Sequence, residues 1–369
     1  MAPSKQEFSL KRSSGTRSGS VLGLRPPVNS LPLRRSSAVL PSVLTFAVIV
    51  ASGGLLLMIE KGLLNSVDTP PPRGNGKKFD YLSQSRHESS DADAESQIVQ
   101  DIRNRTIGAV CGQKHMPHSV WALSPLQRKT LLQHVLVSEE HRFLFCYVPK
   151  VACSNWKRIL KVLSGALQSV SEPLKMDHKS DLLFLSDLQP EQIRYRLQHY
   201  FKFLFVRHPM ERLLSAYRNK FGEIAAYQRK YGAEIVRRYR KNPGQAAGDD
   251  VTFTEFVRYL LDEDVERMNE HWMPVYNLCQ PCAINYDFIG SYERLQEDAG
   301  YVLQHVGAPP AVQFPQRQAW YNPVTPQTLQ YYLCSLPPRL LADLLPKYIL
   351  DFSLFSYALP NTTSQHCRH

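Results

Sequence analysis

The sequence predicts an α/β domain with a mostly parallel sheet flanked by helices, carried behind a single N-terminal transmembrane helix. Three observations predict it. From about Ser124 onward, short apolar runs alternate with segments of helical period, the order that covers both faces of a parallel sheet with helices. Two of these runs, 143–148 and 201–206, pass directly into helix starts. Upstream, Ala38 to Ile59 contains no charged residue.

Residues 1–37 carry Lys5, Lys11, Arg12, Arg17, Arg25, Arg34 and Arg35 against Glu7, with no apolar period. They read as a disordered basic tail. The uncharged run 38–59 matches the roughly 20 apolar residues that a helix needs to cross a bilayer core of about 30 Å. Gly53-Gly54 is tolerated in such a helix. A cleaved signal peptide is the alternative, but its apolar core is shorter, about 7–15 residues. The reading preferred is an uncleaved signal-anchor whose basic side stays in the cytosol, which makes the rest of the chain luminal. Residues 60–123 contain Pro70-Pro71-Pro72 and a Ser/Asp/Glu-rich run from Ser83 to Ser96, and read as a luminal stem. Asn104-Arg-Thr106 and Asn361-Thr-Thr363 are acceptor triplets for N-glycosylation, usable in that topology.

Within 124–369 the apolar spacing predicts a helix over 125–137, a strand over 143–148, a helix over 154–167 and a variable loop over 176–187. A short helix over 191–197 leads to a strand at 201–206 and a helix over 209–221, opened by Pro209 at its first position. A basic, aromatic-studded segment runs from Tyr227 to Lys241 and ends in a Gly-rich turn. Then come a helix over 254–261, a strand around 284–290, a helix over 292–306 and a final helical pair between 326 and 350.

The two strand-to-helix junctions carry the chemistry. The first turn of a helix has main-chain N–H groups without intrahelical partners and the positive end of the dipole, so it holds anions. Lys150 adds a mobile charge there, and Ser154 or Asn155 can cap the helix or bind the anion. No Walker pattern is present. An ordinary strand–helix turn with a surface lysine is the bland alternative. The second junction places Arg207 at a strand end, where open α/β sheets bind ligands, and Ser215 about two turns into the following helix. Two cationic junctions suit a ligand with two separated anionic groups.

These residues carry a resemblance. Pro149-Lys150…Ser154-Asn155-Trp156 and Val206-Arg207-x-Pro209…Arg212-Leu-x-Ser215 resemble the two nucleotide-binding segments of Golgi carbohydrate sulfotransferases. Asn269-Glu270-His271-Trp272-Met-Pro274, Cys279-Gln-Pro-Cys282, Tyr286-Asp287…Glu293-Arg-Leu295 and Tyr348-x-x-Asp351-Phe-x-Leu-Phe355 narrow it to the branch of chondroitin and dermatan 4-O-sulfotransferases. The runs 201–223 and 268–274 are most similar to its dermatan members. One departure is His208, at a position often acidic in the family.

The resemblance implies a P-loop-like sulfotransferase fold over 124–369. It also implies 3′-phosphoadenosine-5′-phosphosulfate (PAPS) as sulfuryl donor without a metal, and the 4-hydroxyl of N-acetylgalactosamine in dermatan or chondroitin as acceptor. Pro149, Lys150, Val151, Ala152, Cys153, Ser154 and Asn155 would form the 5′-phosphate loop, with Lys150 stabilising the leaving group. Arg207, His208, Pro209, Met210, Glu211, Arg212, Leu213, Leu214 and Ser215 would form the 3′-phosphate segment, with Arg207 and Ser215 as ligands. For the general base three candidates stay open: His178, His271 and Glu270. The location implied is the Golgi membrane, single-pass type II, with a luminal catalytic domain.

The formal charge of +11 points to a polyanionic partner, and a luminal domain disfavours nucleic acid. Residues 229–241 suit a sulfated or carboxylated polymer, with Tyr231 or Tyr239 stacking on sugars, or else form a solvated helix face. All seven cysteines follow the anchor, where an oxidising lumen favours disulfides. Structural pairs are expected among Cys111, Cys279, Cys282, Cys334 and Cys367, with Cys146 and Cys153 as buried thiols. Competing readings are a sulfotransferase for another sugar hydroxyl and a non-catalytic, membrane-tethered polyanion binder. A kinase is more distant, since no metal-binding carboxylate follows either strand.

Overall fold

The computed structural model describes residues 97–171, 177–244, 246–316, 323–360 and 367. The expected tail, transmembrane segment and Asn361 lie outside the described residues. Among the described residues no helix is long and apolar enough to cross a membrane.

Five strands form one sheet in the order β3-β1-β2-β4-β5: β1 Val135–Ser138, β2 Phe143–Cys146, β3 Leu183–Phe184, β4 Phe201–Val206 and β5 Phe288–Ser291. β2, β4 and β5 pair in parallel, whereas β1 runs antiparallel to both β2 and β3. The sheet is therefore mixed where a mostly parallel one was expected. β1 accounts for the difference. Its Val135-Leu-Val continues the apolar run of the preceding helix, so periodicity alone extended that helix to 137. The helix in fact ends at His134, opened by a capping box between Ser124 and Gln127.

The parallel half is closer to expectation. The register Phe203↔Phe288 and Phe145↔Phe203 puts aromatic residues of β2 and β4 on one face. There Trp156, from the helix Cys153–Leu163, packs against Phe145, Phe203, Phe205 and Phe314 with ring centroids 4.9–5.4 Å apart. Gly290 sits where the Phe205 ring crosses β5, and a Cβ there would lie 2.3 Å from that ring. A second aromatic centre forms around buried Trp272, which meets Phe221, Tyr227, Tyr231, Phe256 and Tyr259.

The folded unit also begins earlier than the stem boundary at 124. A helix over 97–111 covers the edge strand β5: Gln100 donates to the Ile289 carbonyl at 2.9 Å and Arg103 donates to the same oxygen. Main-chain groups that an edge strand leaves unpaired are thereby satisfied. Asn104 is exposed on this helix.

Three disulfides tie the unit: Cys111–Cys282, Cys146–Cys279 and Cys334–Cys367, leaving Cys153 as a half-buried free thiol. The expectation that Cys146 is a free thiol is corrected by this pairing. Burial was read properly, but the partner Cys279 arrives from 133 residues away and no local spacing announces it. Cys279 and Cys282 each bond a distant element, which removes them as a metal or redox pair.

The Cys146–Cys279 bond joins residues 133 apart in sequence at the end of β2, immediately before the Lys150 loop. Replacing both by Ala is expected to cost about 2–5 kcal/mol. Denaturant unfolding of the oxidised protein and of the double variant measures it; equal midpoints would refute a stabilising role.

Candidate active site

The anion loop follows β2 directly. Residues 147–152 leave the sheet, Lys150 and Ala152 adopt left-handed backbone with φ of 70° and 54°, and the helix begins at Cys153. No side chain caps that helix, so its first turn stays directed at the space in front of the loop. The Asn155 amide turns back to the Ala152 carbonyl at 3.0 Å, which leaves Cys153 and Ser154 as the amides suited to an anion. Lys150 is half-buried, and its Nζ donates to Asn219 Oδ1 at 3.2 Å.

The second junction lies against the first. The Arg207 guanidinium is buried, stacks over Tyr292 at 4.2 Å, pairs with Glu211 at 3.3 Å and donates to the Lys150 carbonyl at 3.4 Å. These long hydrogen bonds are weak ones. Ser215 is buried a turn and a half along the helix Pro209–Gly222. Arg212, within the expected 3′-phosphate segment, faces main chain. It is 2% exposed, and its three nitrogens donate to the carbonyls of Pro149, Met273 and Glu270 at 3.0, 2.7 and 2.9 Å. Pro209, Met210, Leu213 and Leu214 are packed in the core, as is Val151.

His208 turns away from the mouth of the site. Its ring lies edge-on to Phe352 and Tyr357, with Nε2 3.3 Å from the Ala358 carbonyl, and burial pushes its pKa down. Its main-chain N–H donates to Glu293 Oε1 at 3.1 Å. Tyr357 also donates its hydroxyl to Glu293, at 2.9 Å.

In front of the loop lies a polar cluster of which the sequence pointed out only Glu270, His271 and His178. Glu270 Oε2 receives hydrogen bonds from Tyr147 Oη and His134 Nε2, both at 3.1 Å. Burial would raise its pKa, but the hydrogen bonds from His134 and the Tyr147 hydroxyl carry it down to about 2. Such a carboxylate is a poor proton acceptor near neutrality. Lys157, 3% exposed, places Nζ 3.7 Å from the Tyr147 ring centroid and donates to the His178 carbonyl at 3.2 Å. It anchors the loop that carries His178.

Both histidines feel this cluster. His271 Nδ1 lies 2.8 Å from Asn269 Oδ1, an atom that also accepts the His271 amide, so Nδ1 carries the proton and Nε2 the lone pair. Burial, then the Lys220 charge, lowers its pKa to about 3. Tyr227 Oη lies 3.1 Å from the same ring. The exposed His178 is shifted in the same direction, by partial desolvation and then by Lys157, and stays neutral at pH 7. The basic segment meets the site only through Tyr227 and Tyr231, which stack on each other. Tyr231 is further covered by Lys230 and Trp272, and the hydroxyl of the half-buried Tyr239 is bound to Asp262. Arg240 is held by Asp250 and Glu255.

The α/β sheet thus brings Lys150 and Arg207 together at adjacent strand–helix junctions, with His271 and Glu270 on a segment tied to the Lys150 loop through Arg212. A sulfotransferase-family model matches residues 133–358, and the chain belongs to the sulfotransferase family. It is 70% identical over 372 residues to carbohydrate sulfotransferase 14 of Danio rerio, covering all of both chains. It is 64% identical over 340 residues to carbohydrate sulfotransferase 14 of Homo sapiens, covering 89% of each chain. It is 44% identical over 243 residues to carbohydrate sulfotransferase 11 of Mus musculus, covering 62% of this chain and 68% of the relative. No solved structure matches. Among the described residues no group of three or more metal-ligating side chains occurs.

Arg212 holds two segments together through three carbonyls, so its removal leaves those three carbonyls without their donors. Arg212→Lys is expected to lower stability by about 3 kcal/mol, because one ammonium cannot span the three acceptors. Thermal unfolding tests this, and wild-type stability of the variant would contradict it.

Proposed function

We propose that this chain transfers the sulfuryl group of PAPS to the 4-hydroxyl of N-acetylgalactosamine in iduronate-containing dermatan and in chondroitin. The setting would be glycosaminoglycan synthesis, with the enzyme anchored as a single-pass type II protein in the Golgi membrane. The observation that carries the reading is the joining of the two junctions, Arg207 to the Lys150 carbonyl, under an uncapped helix start. The names of the relatives support a carbohydrate acceptor, and the charge of +11 suits a polyanionic one.

The donor set fits PAPS. Cys153 and Ser154 amides and Lys150 would hold the 5′-phosphosulfate end, and Arg207 with Ser215 the 3′-phosphate. When bound, PAPS supplies an activated sulfuryl group whose S–O bond to phosphate breaks as the bond to the acceptor oxygen forms. Lys150 Nζ balances the charge left on the phosphate oxygen. The acceptor hydroxyl loses its proton to a base, and His178 is the better match. It is neutral at pH 7 and retains more basicity than His271, whose pKa is about 3. In this assignment His271 is a neutral hydrogen-bonding group and Glu270 orients Tyr147 and His134.

The test is transfer of labelled sulfate from PAPS by the purified chain to desulfated dermatan and chondroitin side by side, followed by disaccharide analysis. Label is expected at position 4 of N-acetylgalactosamine, mainly beside iduronate; label at another hydroxyl would discard the acceptor. Lys150→Ala should reduce kcat by about 100-fold or more while polymer binding persists. A non-catalytic polyanion binder would show no turnover to lose.

His178→Ala should reduce kcat by about 100-fold or more. In the parent enzyme, activity should fall as pH drops through a pKa below the ordinary histidine value of 6.5, as His178 becomes protonated. Survival of that acidic limb in the variant would assign the base elsewhere.

A further inference from the structure

An open cleft of about 430 Å³ is lined by Pro125, Arg128, Lys129, Leu132, Gln133 and Ser186, between the helix Pro125–His134 and the turn at 185–187. Two of its lining residues are near neighbours in sequence of residues in the cluster described above. Gln133 precedes His134, which binds Glu270, and Ser186 follows shortly after Phe184, whose ring lies 5.8 Å from Lys157 Nζ. Away from those residues, Arg128 lies over the half-buried Trp121 ring at 5.6 Å, and Arg194 lies over the same ring at 4.6 Å.

The chemistry of this surface is one-sided. No carboxylate lines the cleft, Lys129 is exposed, and the nearby Glu191 is engaged by Arg194. A guanidinium stacked on an indole keeps its planar fork oriented, which favours bidentate contact with carboxylate or sulfate. Pro125 and Leu132 add an apolar floor of the kind a sugar ring covers.

We propose that this cleft binds the stretch of anionic polysaccharide flanking the sugar that is being sulfated. The inference rests on the acceptor reading above and extends it: the polymer runs from the Lys157–Glu270 cluster along Gln133, Lys129 and Arg128 toward Trp121. Repeating carboxylates or sulfates meet the cations, while the reacting sugar stays at the histidines. The contribution is to polymer affinity and leaves the chemical step alone.

The test compares the purified chain with a variant carrying Arg128→Gln and Lys129→Gln, using desulfated dermatan polymer and a short oligosaccharide of the same repeat as acceptors. The KM for polymer should rise about tenfold in the variant. The kcat, the KM for PAPS and the KM for the short acceptor should stay at their parent values. Added salt should raise the polymer KM of the parent more steeply than that of the variant. An unchanged polymer KM overturns the cleft and leaves the acceptor reading standing. If the parent transfers to neither acceptor, equilibrium binding of dermatan sulfate to both proteins decides. Weaker binding by the variant keeps the cleft while the acceptor reading falls, and equal binding removes the cleft too.

Discussion

The guanidinium of Arg212 is buried, and its three nitrogens donate to main-chain carbonyls of Pro149, Glu270 and Met273. Taking a cation out of water costs several kcal/mol, which only complete hydrogen bonding offsets. Arg212 therefore has one low-energy arrangement, with the anion loop on one side and the 269–274 segment on the other. Everything the site does depends on that distance being fixed. The loop positions Lys150, the segment positions Glu270 and His271, and both hang from a side chain on the helix that Arg207 introduces.

The same segment is held from its other side by the C-terminal helices. Tyr348 donates its hydroxyl to the Trp272 carbonyl at 2.7 Å, and Asp351 accepts the amides of Val275 and Tyr276 at 2.7 and 2.8 Å. Burial raises the pKa of Asp351 to about 6 although two amides and Arg212 oppose the shift. Between 269 and 276 the main chain thus has its polar groups taken up by Arg212, Tyr348 and Asp351 in turn. The Tyr348-x-x-Asp351 pattern bears on the site through the backbone of 272–276. This also explains why Glu270 can be so acidic. Its carboxylate is presented by a rigid strand of loop to donors that are fixed as well, Tyr147 and His134.

What the sequence made legible was whatever local order controls. β4 spans 201–206 as its apolar run predicts, Pro209 opens the next helix, and the Lys150 and Arg207 junctions follow from strand–helix grammar. Pairings across long separations were not legible. Cys146 looked like a core thiol because its neighbours are apolar, and its bond to Cys279 needed the fold. Arg212 sat in a phosphate-binding motif, and only burial shows it bonded to carbonyls. Tyr147 and Lys157 carried a signal in hindsight, a tyrosine at the strand end and a lysine one turn into the helix. Both still look like ordinary amphipathic residues until His134 and Glu270 arrive from elsewhere. The variable loop was expected to lack structure, yet Leu183-Phe184 adds a strand because β1 offers an antiparallel edge that periodicity had hidden inside a helix.

The anion loop itself is strained. Lys150 and Ala152 are non-glycine residues in left-handed backbone, and such residues cost about 1–2 kcal/mol each. A free loop would relax. Here the carbonyl of Pro149 is held by Arg212 at 3.0 Å and that of Lys150 more weakly by Arg207 at 3.4 Å, so the peptide groups on either side of the Lys150 Cα both meet a buried guanidinium. Two left-handed residues thus flank Val151 at the entrance to the helix that begins at Cys153. A glycine-rich loop reaches that shape by freedom; this one reaches it by constraint, with its stability borrowed from the helix 209–222. The two cationic junctions are therefore one device, in which the arginines of the second segment hold the main chain of the first.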